Sequence, residues 1–485
     1  MNYSEFRENF FGHFSLQKTK LTMDKSLNFN VHSNKTIMVF PLRKTELYKT
    51  ETSLMINNQK RCLFLCRRNF MIMNETEALE FIEEQNIKFI RLAFSDIFGN
   101  LKNISINSSE LNRAFNSGIS FDASSVSGFL KIDESDLLLF PDPSTLTILP
   151  WRPSQGRVVM FMCYIKKPDG TAFEGDTRYL LKETQKQAVL KGFSFNIGPE
   201  CEFFLFKLDE NGDPTNTPID RGNYFDIAPV DKGENIRRDI CLTLDEMGFN
   251  TERSHHESGP GQMEIDFTYA PPLNSADNVL LFKNVVRTIS AQSGMHATFI
   301  PKPLKEESGS GMHINLSVEY EKREKDRLLE DMTGGIISHI NDMMAFTNPH
   351  VNSYFRLGKY EAPANLGWGK GNRLFSIRIP YATGNYKRLE VRSPDPSCNP
   401  YLAFTLIIKA AMEGIEQNMG CSGDSKKEQI CSSLEKAVKL AHSSKFISDN
   451  LPSLLIENFL EKSVEEIKIV GDDFETSKDI LFNRV

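Results

Sequence analysis

The sequence predicts an α+β protein: a small strand-rich domain over residues 73–174, a larger mixed domain over 175–485, and a basic segment, 1–72, ahead of both. Three observations predict it. Short alternating runs punctuated by Pro and Gly fill residues 88–164, which is a strand pattern. They give way to a long amphipathic period over 178–191, and this change sets the domain boundary near 174. Beyond it, helical periods (275–291, 327–345, 400–417) are interleaved with strand-like runs that carry charged residues, although a strand interior ordinarily carries few.

The elements follow in order. The first 72 residues hold twelve Lys and Arg against five Asp and Glu and show no sustained period. They read either as a basic arm for nucleic acid or membrane, or as sequence translated ahead of the true start. The second is the expectation, because Arg67-Arg68-Asn69 is encodable by a purine-rich ribosome-binding sequence just before Met71 and Met73. Neither a nucleic-acid nor a membrane partner is expected. A peptide from residues 1–60 in mass spectrometry of the natural N-terminus would overturn this reading. Glu75-Thr76-Glu77 then opens a helix with acids in its first turn. Residues 88–94 alternate as a strand, and Ser95 to Asn100 turns into a second one.

Composition excludes more than it assigns. Forty per cent hydrophobic and 25% charged residues suit an ordinary globular protein, and the apolar runs are far too short to span a bilayer. Eight cysteines without a paired framework fit a reducing cytoplasm, the expected location, with Cys62 and Cys66 as free thiols.

Chemistry concentrates in a few runs. In Gly198-Pro199-Glu200-Cys201-Glu202-Phe203-Phe204, two carboxylates sit two apart in a buried strand pattern, so they share a face and need a counter-charge. A divalent cation supplies one. His255-His256-Glu257 and Gly261-Gln262-Met263-Glu264 add acids around a Gly/Pro turn. Gly309-Ser310-Gly311-Met312-His313 sets a histidine after a glycine-rich loop that lacks a P-loop ending. Arg388, Glu390 and Arg392 alternate along one strand face, with Arg356, Arg373 and Arg378 nearby in sequence. Glutamates with one histidine suit Mg²⁺ or Mn²⁺ rather than zinc. Arginines beside such a site suit polyphosphate and carboxylate, and hence phosphoryl transfer. Each piece alone also reads as a structural ion pair, a bonded histidine or a surface arginine. The recurrence of acids and arginines together on strand-like runs weakens that reading.

These motifs, with Asn372-Arg373, Ile377-Arg378-Ile379-Pro380 and Glu390-Val391-Arg392-Ser393-Pro394-Asp395-Pro396, resemble in order and spacing the successive signatures of glutamine synthetase over 73 to about 460. The chain is most similar to the bacterial class I enzymes of the shorter type. The resemblance implies a β-grasp-like N-terminal domain and a catalytic domain built on a curved antiparallel sheet flanked by helices. It implies a ligase joining ammonia to L-glutamate at the expense of ATP, through γ-glutamyl phosphate, with two or more Mg²⁺ or Mn²⁺ per site.

On these residues, one cation is implied between Glu202, Glu257 and Glu264, and the other between Glu200, His313 and Glu390. Glu257, Gly309, Arg356, Arg378 and Arg392 are implied at the glutamate and transferred phosphoryl, and Asn315, Ser317, Arg373 and Arg388 at ATP. Asp122 is implied as the base for ammonium, with Ser125 and Tyr224 lining its pocket and Glu361 closing it from a flap. Because Asp122 belongs to the N-terminal domain, the resemblance implies sites shared between subunits of a homo-dodecamer. The chain departs from the family at Ser308, where an Asn is usual, in a flap one residue shorter, and in lacking the adenylylation loop after Gln417. A γ-glutamyl ligase for a polyamine, or a non-catalytic relative, remain as alternatives. The first would lose the ammonia pocket and the second the metal ligands.

Overall fold

The computed structural model describes residues 73–152, 156–421 and 428–482. The expectations for residues 1–72 and for the segment 422–424 lie outside them. The first helix, Glu75–Glu84, begins where the sequence predicts, because Asn74 and Glu77 exchange side-chain and backbone hydrogen bonds at 3.0 Å.

Six strands follow in the N-terminal domain: β1 (Phe89–Ser95), β2 (Leu101–Asn107), β3 (Ile119–Asp122), β4 (Asp136–Pro141), β5 (Thr147–Ile148) and β6 (Val158–Lys166). They form one sheet in the order β2-β1-β6-β4-β3, with β5 on β6. β1 and β6 are parallel, and the other pairs are antiparallel. One face is closed by Ile90, Leu92, Leu139 and Phe161, all fully buried.

The rest is built on two further sheets. One orders β10 (Thr251–His256), β11 (Gln262–Phe267), β8 (Phe203–Leu208) and β12 (Met295–Thr298), with β9 (Pro214–Pro218) on β8. The other runs β17 (Glu428–Gln429), β14 (Asn365–Lys370), β15 (Phe375–Ile379), β16 (Leu389–Val391), β13 (Met312–Glu319) and β7 (Ser194–Cys201). All pairs are antiparallel except β14 with β15. Helices Pro272–Gln292 and Lys325–Thr347 pack against these sheets, and Pro400–Gln417 packs against those two helices, each buried along most of its length. The period at 178–191 is the helix Thr177–Leu190.

Buried polar contacts fasten the N-terminal sheet to the larger body. Arg178 grips Asp277 through two bonds of 2.9 and 2.8 Å and reaches Asp142 at 3.0 Å. Asn399 donates to the backbone carbonyl oxygens of Asp96 and Ile97 at 3.3 and 3.0 Å. Unpaired, any of these groups would be costly at such burial, so the contacts fix how the two parts meet.

One expectation needs correcting. Glu200 and Glu202 do not lie in one strand. β7 ends at Cys201 and β8 begins at Phe203, and the two strands belong to different sheets. Glu202 is the single residue at the changeover, where its N–H donates to the Gly311 carbonyl at 3.1 Å. The sequence hides the break because apolar residues continue through it.

Candidate functional site

β13 organises the first cluster of acids. Its antiparallel register sets His313 opposite Glu200 of β7, and Asn315 opposite Glu390 of β16. His313 Nδ1 lies 3.4 Å from Glu200 Oε2 and 3.9 Å from Glu390 Oε1. Asn315 donates to Glu200 Oε1 at 3.0 Å and accepts from Arg388 Nε at 2.8 Å. Arg378 meets Glu390 Oε2 at 2.5 Å, and Arg392 pairs with Glu390 Oε1. The strand face expected for Arg388, Glu390 and Arg392 is therefore seen, its charges converging through Asn315 and Glu390. Burial alone would raise the Glu200 carboxyl, but His313, Asn315 and Arg253 outweigh it and hold it at about 2. The His313 imidazole is held down by burial and by Arg392.

A second cluster forms at the β10–β11 hairpin. Glu264 on β11 faces His255 on β10, and Glu257 follows β10 at the turn. His255 approaches Glu257 Oε1 at 3.6 Å through Nδ1 and Glu264 Oε1 at 4.0 Å through Nε2. Glu202 reaches this group from the sheet changeover, while its Oε2 accepts from Gln262 Nε2 at 2.8 Å and from the Gly311 N–H at 3.0 Å. Burial, and next the neighbouring Glu257, push Glu202 up to about 8. Burial followed by Asp266, Glu202 and Glu257 raises Glu264 as well, and burial raises Glu257.

Glu257 and Glu264 come together with His255, one ligand atom of each lying within 4.8 Å of the others, as is also true of Glu200, His313 and Glu390. Glu202 stands beside the first group with one oxygen already bonded. Sequence reasoning did not assign His255. The signal was its i, i+2 relation to Glu257, masked by a second histidine between them. That second histidine, His256, is buried and bonded to Asp220 at 3.0 Å and to the Glu257 carbonyl at 2.6 Å.

Between the clusters lies a small cavity of about 30 Å³ lined by Glu202, Glu257, Gly309, His313, Arg356 and Arg392, with Ser308 and Glu361 also on its wall. Gly309 is required there, because a Cβ would stand 2.3 Å from the Pro301 carbonyl oxygen. Arg356, at the end of the helix Val351–Arg356, donates to the Ser393 and Arg392 carbonyls at 3.0 and 3.2 Å. Glu361 is half exposed, pairs with Arg373 at 2.6 Å, and accepts from Arg392 on its backbone carbonyl at 3.1 Å. Tyr224 bonds to Arg373, the partner of Glu361. Ser317 shares the Asn315 face of β13 one step further along.

Asp122 and Ser125 do not line this cavity. They form an exposed turn of the N-terminal domain, where the Ser124 N–H and the Ser125 hydroxyl donate to Asp122 at 2.9 Å. Within one chain, then, the implied ammonium base stays apart from the metal-type clusters.

The donor sets fit hard divalent cations. Burial first, and for Glu202 and Glu264 neighbouring carboxylates next, pushes Glu202, Glu257 and Glu264 toward the neutral form, and the β13 cluster is oxygen with one imidazole. Among the described residues, no helix is long and apolar enough to cross a membrane.

Comparison with known proteins agrees with this geometry. Residues 86–168 match the family described as glutamine synthetase, beta-Grasp domain, and residues 174–478 match glutamine synthetase, catalytic domain. A glutamine synthetase of Clostridium saccharobutylicum is 43% identical over 409 residues, covering 82% of this chain and 91% of its own. One of Methanosarcina mazei is 43% identical over 431 residues, covering 83% and 96%. One of Staphylococcus epidermidis reaches 47% over 352 residues, covering 70% and 79%. Among solved structures, a GmaS/ADP complex superposes with a TM-score of 0.73 at 26% identity, over 80% of this chain and 95% of its own. A Plasmodium falciparum glutamine synthetase superposes at 0.74 and 23%, over 81% and 96%, and speaks to the fold alone.

Proposed function

The chain belongs to the glutamine synthetase family, and from that premise we propose that it ligates ammonia to L-glutamate with ATP, through γ-glutamyl phosphate, as a glutamate–ammonia ligase. The observation that carries this is the pair of oxygen-rich clusters meeting at the Glu200–Glu202 junction across a cavity lined by Arg356 and Arg392, with Arg373 paired to its Glu361. A carboxylate is not aminated directly, because hydroxide is a poor leaving group. Phosphorylation first converts the γ-carboxylate into an acyl phosphate.

The residues then divide the work. Glu200, His313 and Glu390 would hold one divalent cation, and Glu257 and Glu264, with Glu202 and His255, another. Such ions, Mg²⁺ or Mn²⁺, supply charge neutralisation for the phosphates. Arg356 and Arg392 are set to bind the carboxylate and the phosphoryl group, and Arg378 with Arg373 to meet charge developing on the transferred phosphoryl. Asn315, Ser317 and Arg388 form the ATP side, while Gly309 leaves room for glutamate. Tyr224, Ser125 and Glu361 would exclude water around ammonium and Asp122 would take its proton. Because Asp122 stands outside the cavity of its own chain, this role places it in the site of a neighbouring copy, in a homo-dodecamer in the cytoplasm. The free cysteines among the described residues suit that compartment.

Phosphate release with ATP and glutamate, while varying ammonia, hydroxylamine and polyamines, tests the reading. Strong turnover with ammonia supports it. Turnover only with a polyamine, or with no amine at all, overturns it.

Two variants test the division of labour. Glu200→Ala is expected to raise the KM for ATP more than that for glutamate, and Glu202→Ala the reverse. Equal effects on both substrates would defeat the two-cluster assignment. Asp122→Asn is expected to lower glutamine formation about 100-fold, the scale of a lost general base. Phosphorylation of glutamate should survive it, as read by a phosphate burst, and a lost burst would remove Asp122 from the ammonium step.

A further inference from the structure

His256 is fully buried at the end of β10, and the proposed reaction leaves it without a role. Its Nδ1 reaches the backbone carbonyl of Glu257 at 2.6 Å, and its Nε2 reaches Asp220 Oδ1 at 3.0 Å. Both partners can only accept, so both ring N–H groups donate. Asp220 is gathered in turn by the N–H groups of Gly222 and Gly261 at 3.2 and 2.9 Å on one oxygen, and of Lys232 at 2.9 Å on the other. Asp231 lies close enough to this pair to suggest another cation site, but its oxygens are taken by Arg237 at 3.1 and 2.7 Å and by the Gly233 N–H at 2.8 Å. The cluster is therefore a hydrogen-bonded hub, satisfied by protein groups.

The hub joins two segments that the ligase reading needs together. Residues 220–225 carry Tyr224, and the turn over 257–262, closed by the Glu257 N–H on the Gln262 carbonyl at 2.8 Å, carries Glu257. Asp220 begins the first segment, and His256 immediately precedes the second. The Phe225 N–H also donates to the His256 carbonyl at 3.1 Å, and the Tyr224 and Phe225 rings meet the His255 ring edge-on at 5.6 and 4.8 Å. Burial first, and Glu257 next, raise the Tyr224 phenol, which marks phenol and carboxylate as neighbours. At Gly222 a Cβ would stand 2.6 Å from His256 Nε2, so only glycine lets the loop approach the ring this closely.

We propose that His256 is a positioning residue: by tying Asp220 to the Glu257 carbonyl, it locks the Tyr224 loop onto the Glu257 turn and sets the spacing between the ammonium pocket and the hairpin cation site. This rests on the ligase reading, in which Tyr224 lines the ammonium pocket and Glu257 belongs to the hairpin cluster. Being fully buried, His256 acts through these residues and not on a substrate.

Steady-state kinetics of three variants of the full chain test it. An asparagine amide places its nitrogen near the site of Nδ1, and a glutamine amide near that of Nε2. His256→Asn should therefore keep the Glu257 bond and release Asp220. It is expected to raise the KM for ammonium about tenfold, the scale of one lost hydrogen bond to a charged group, while the KM values for ATP and glutamate stay within about twofold. His256→Gln keeps the Asp220 bond and should recover the KM for ammonium. Gly222→Ala, which wedges the loop off the ring without removing either partner, should reproduce the asparagine effect. An equal rise in all three KM values, an unchanged KM for ammonium in His256→Asn and Gly222→Ala, or no recovery in His256→Gln would overturn the proposal. Failure of the ligase reading shows separately, as a parent protein without ammonium-dependent turnover, and would overturn the proposal with it.

Discussion

Replacing Glu390 with leucine is expected to cost the metal-free protein about 3–5 kcal/mol, the scale of breaking a buried pair by removing one partner. The side chain is almost fully buried and takes Arg392 on one oxygen and Arg378 on the other. Leucine would strand two guanidinium groups, one of them buried, with no acid to receive them. Turnover should fall by about 10³-fold, the scale on which a fixed charge at a transferring phosphoryl group acts. Glu264→Gln is expected to lose activity similarly but to shift metal-free stability the other way. Glu264 is buried against Asp266, Glu202 and Glu257, so its charge is opposed in the folded state and a neutral amide relieves that repulsion. Calorimetric melting of both variants in EDTA checks the pair. Both melting below the parent protein would show that Glu264 is not a repelled carboxylate.

This contrast was only half legible in the chain. Glu390, Arg388 and Arg392 alternate in the sequence, and β16 realises the alternation because a strand's period is two. His313 was readable as a histidine following a glycine-rich loop and Asn315 only through the family resemblance, and their partners follow from register. Glu202 was legible as an acid but not in its setting, because the switch from one sheet to another leaves no mark in a run of apolar residues. His255 was missed because His256 masked its i, i+2 relation to Glu257, and its partnership with Glu264 arises only from hairpin pairing across a turn. Asp122 illustrates the opposite limit. Its motif is plain in sequence, yet its own chain does not bring it to the cavity, since nothing local ties an exposed turn of the N-terminal sheet to a distant hairpin.

The hairpin acids also set a pH dependence whose sign can be fixed. Glu202 is raised from 4.5 to about 8 by burial and Glu257, so the folded protein binds a proton that the unfolded chain releases. Its stabilising effect is complete below the unfolded value and is lost as pH rises through the folded one. Other groups narrow the useful window. His255 and His313, held below 6.5, act with the opposite sign only at lower pH, and Lys302, lowered from 10.5 to about 8, acts oppositely only above that. Glu200 and Asp220, both at about 2, have finished titrating well below it. His256 and His350 are raised by carboxylates, Asp220 and Glu466, that outweigh their burial, and so act in the same direction as Glu202. Between pH 6.5 and 8, then, the metal-free protein should lose stability steadily. Ligand carboxylates must give up protons to hold a cation, so added Mg²⁺ should stabilise more at pH 8 than at pH 6.5. Thermal melting with EDTA or with excess Mg²⁺ across that interval measures both slopes. A metal-free protein that grows more stable toward pH 8 would mean that Glu202, Glu257 and Glu264 are not crowded into one desolvated cluster.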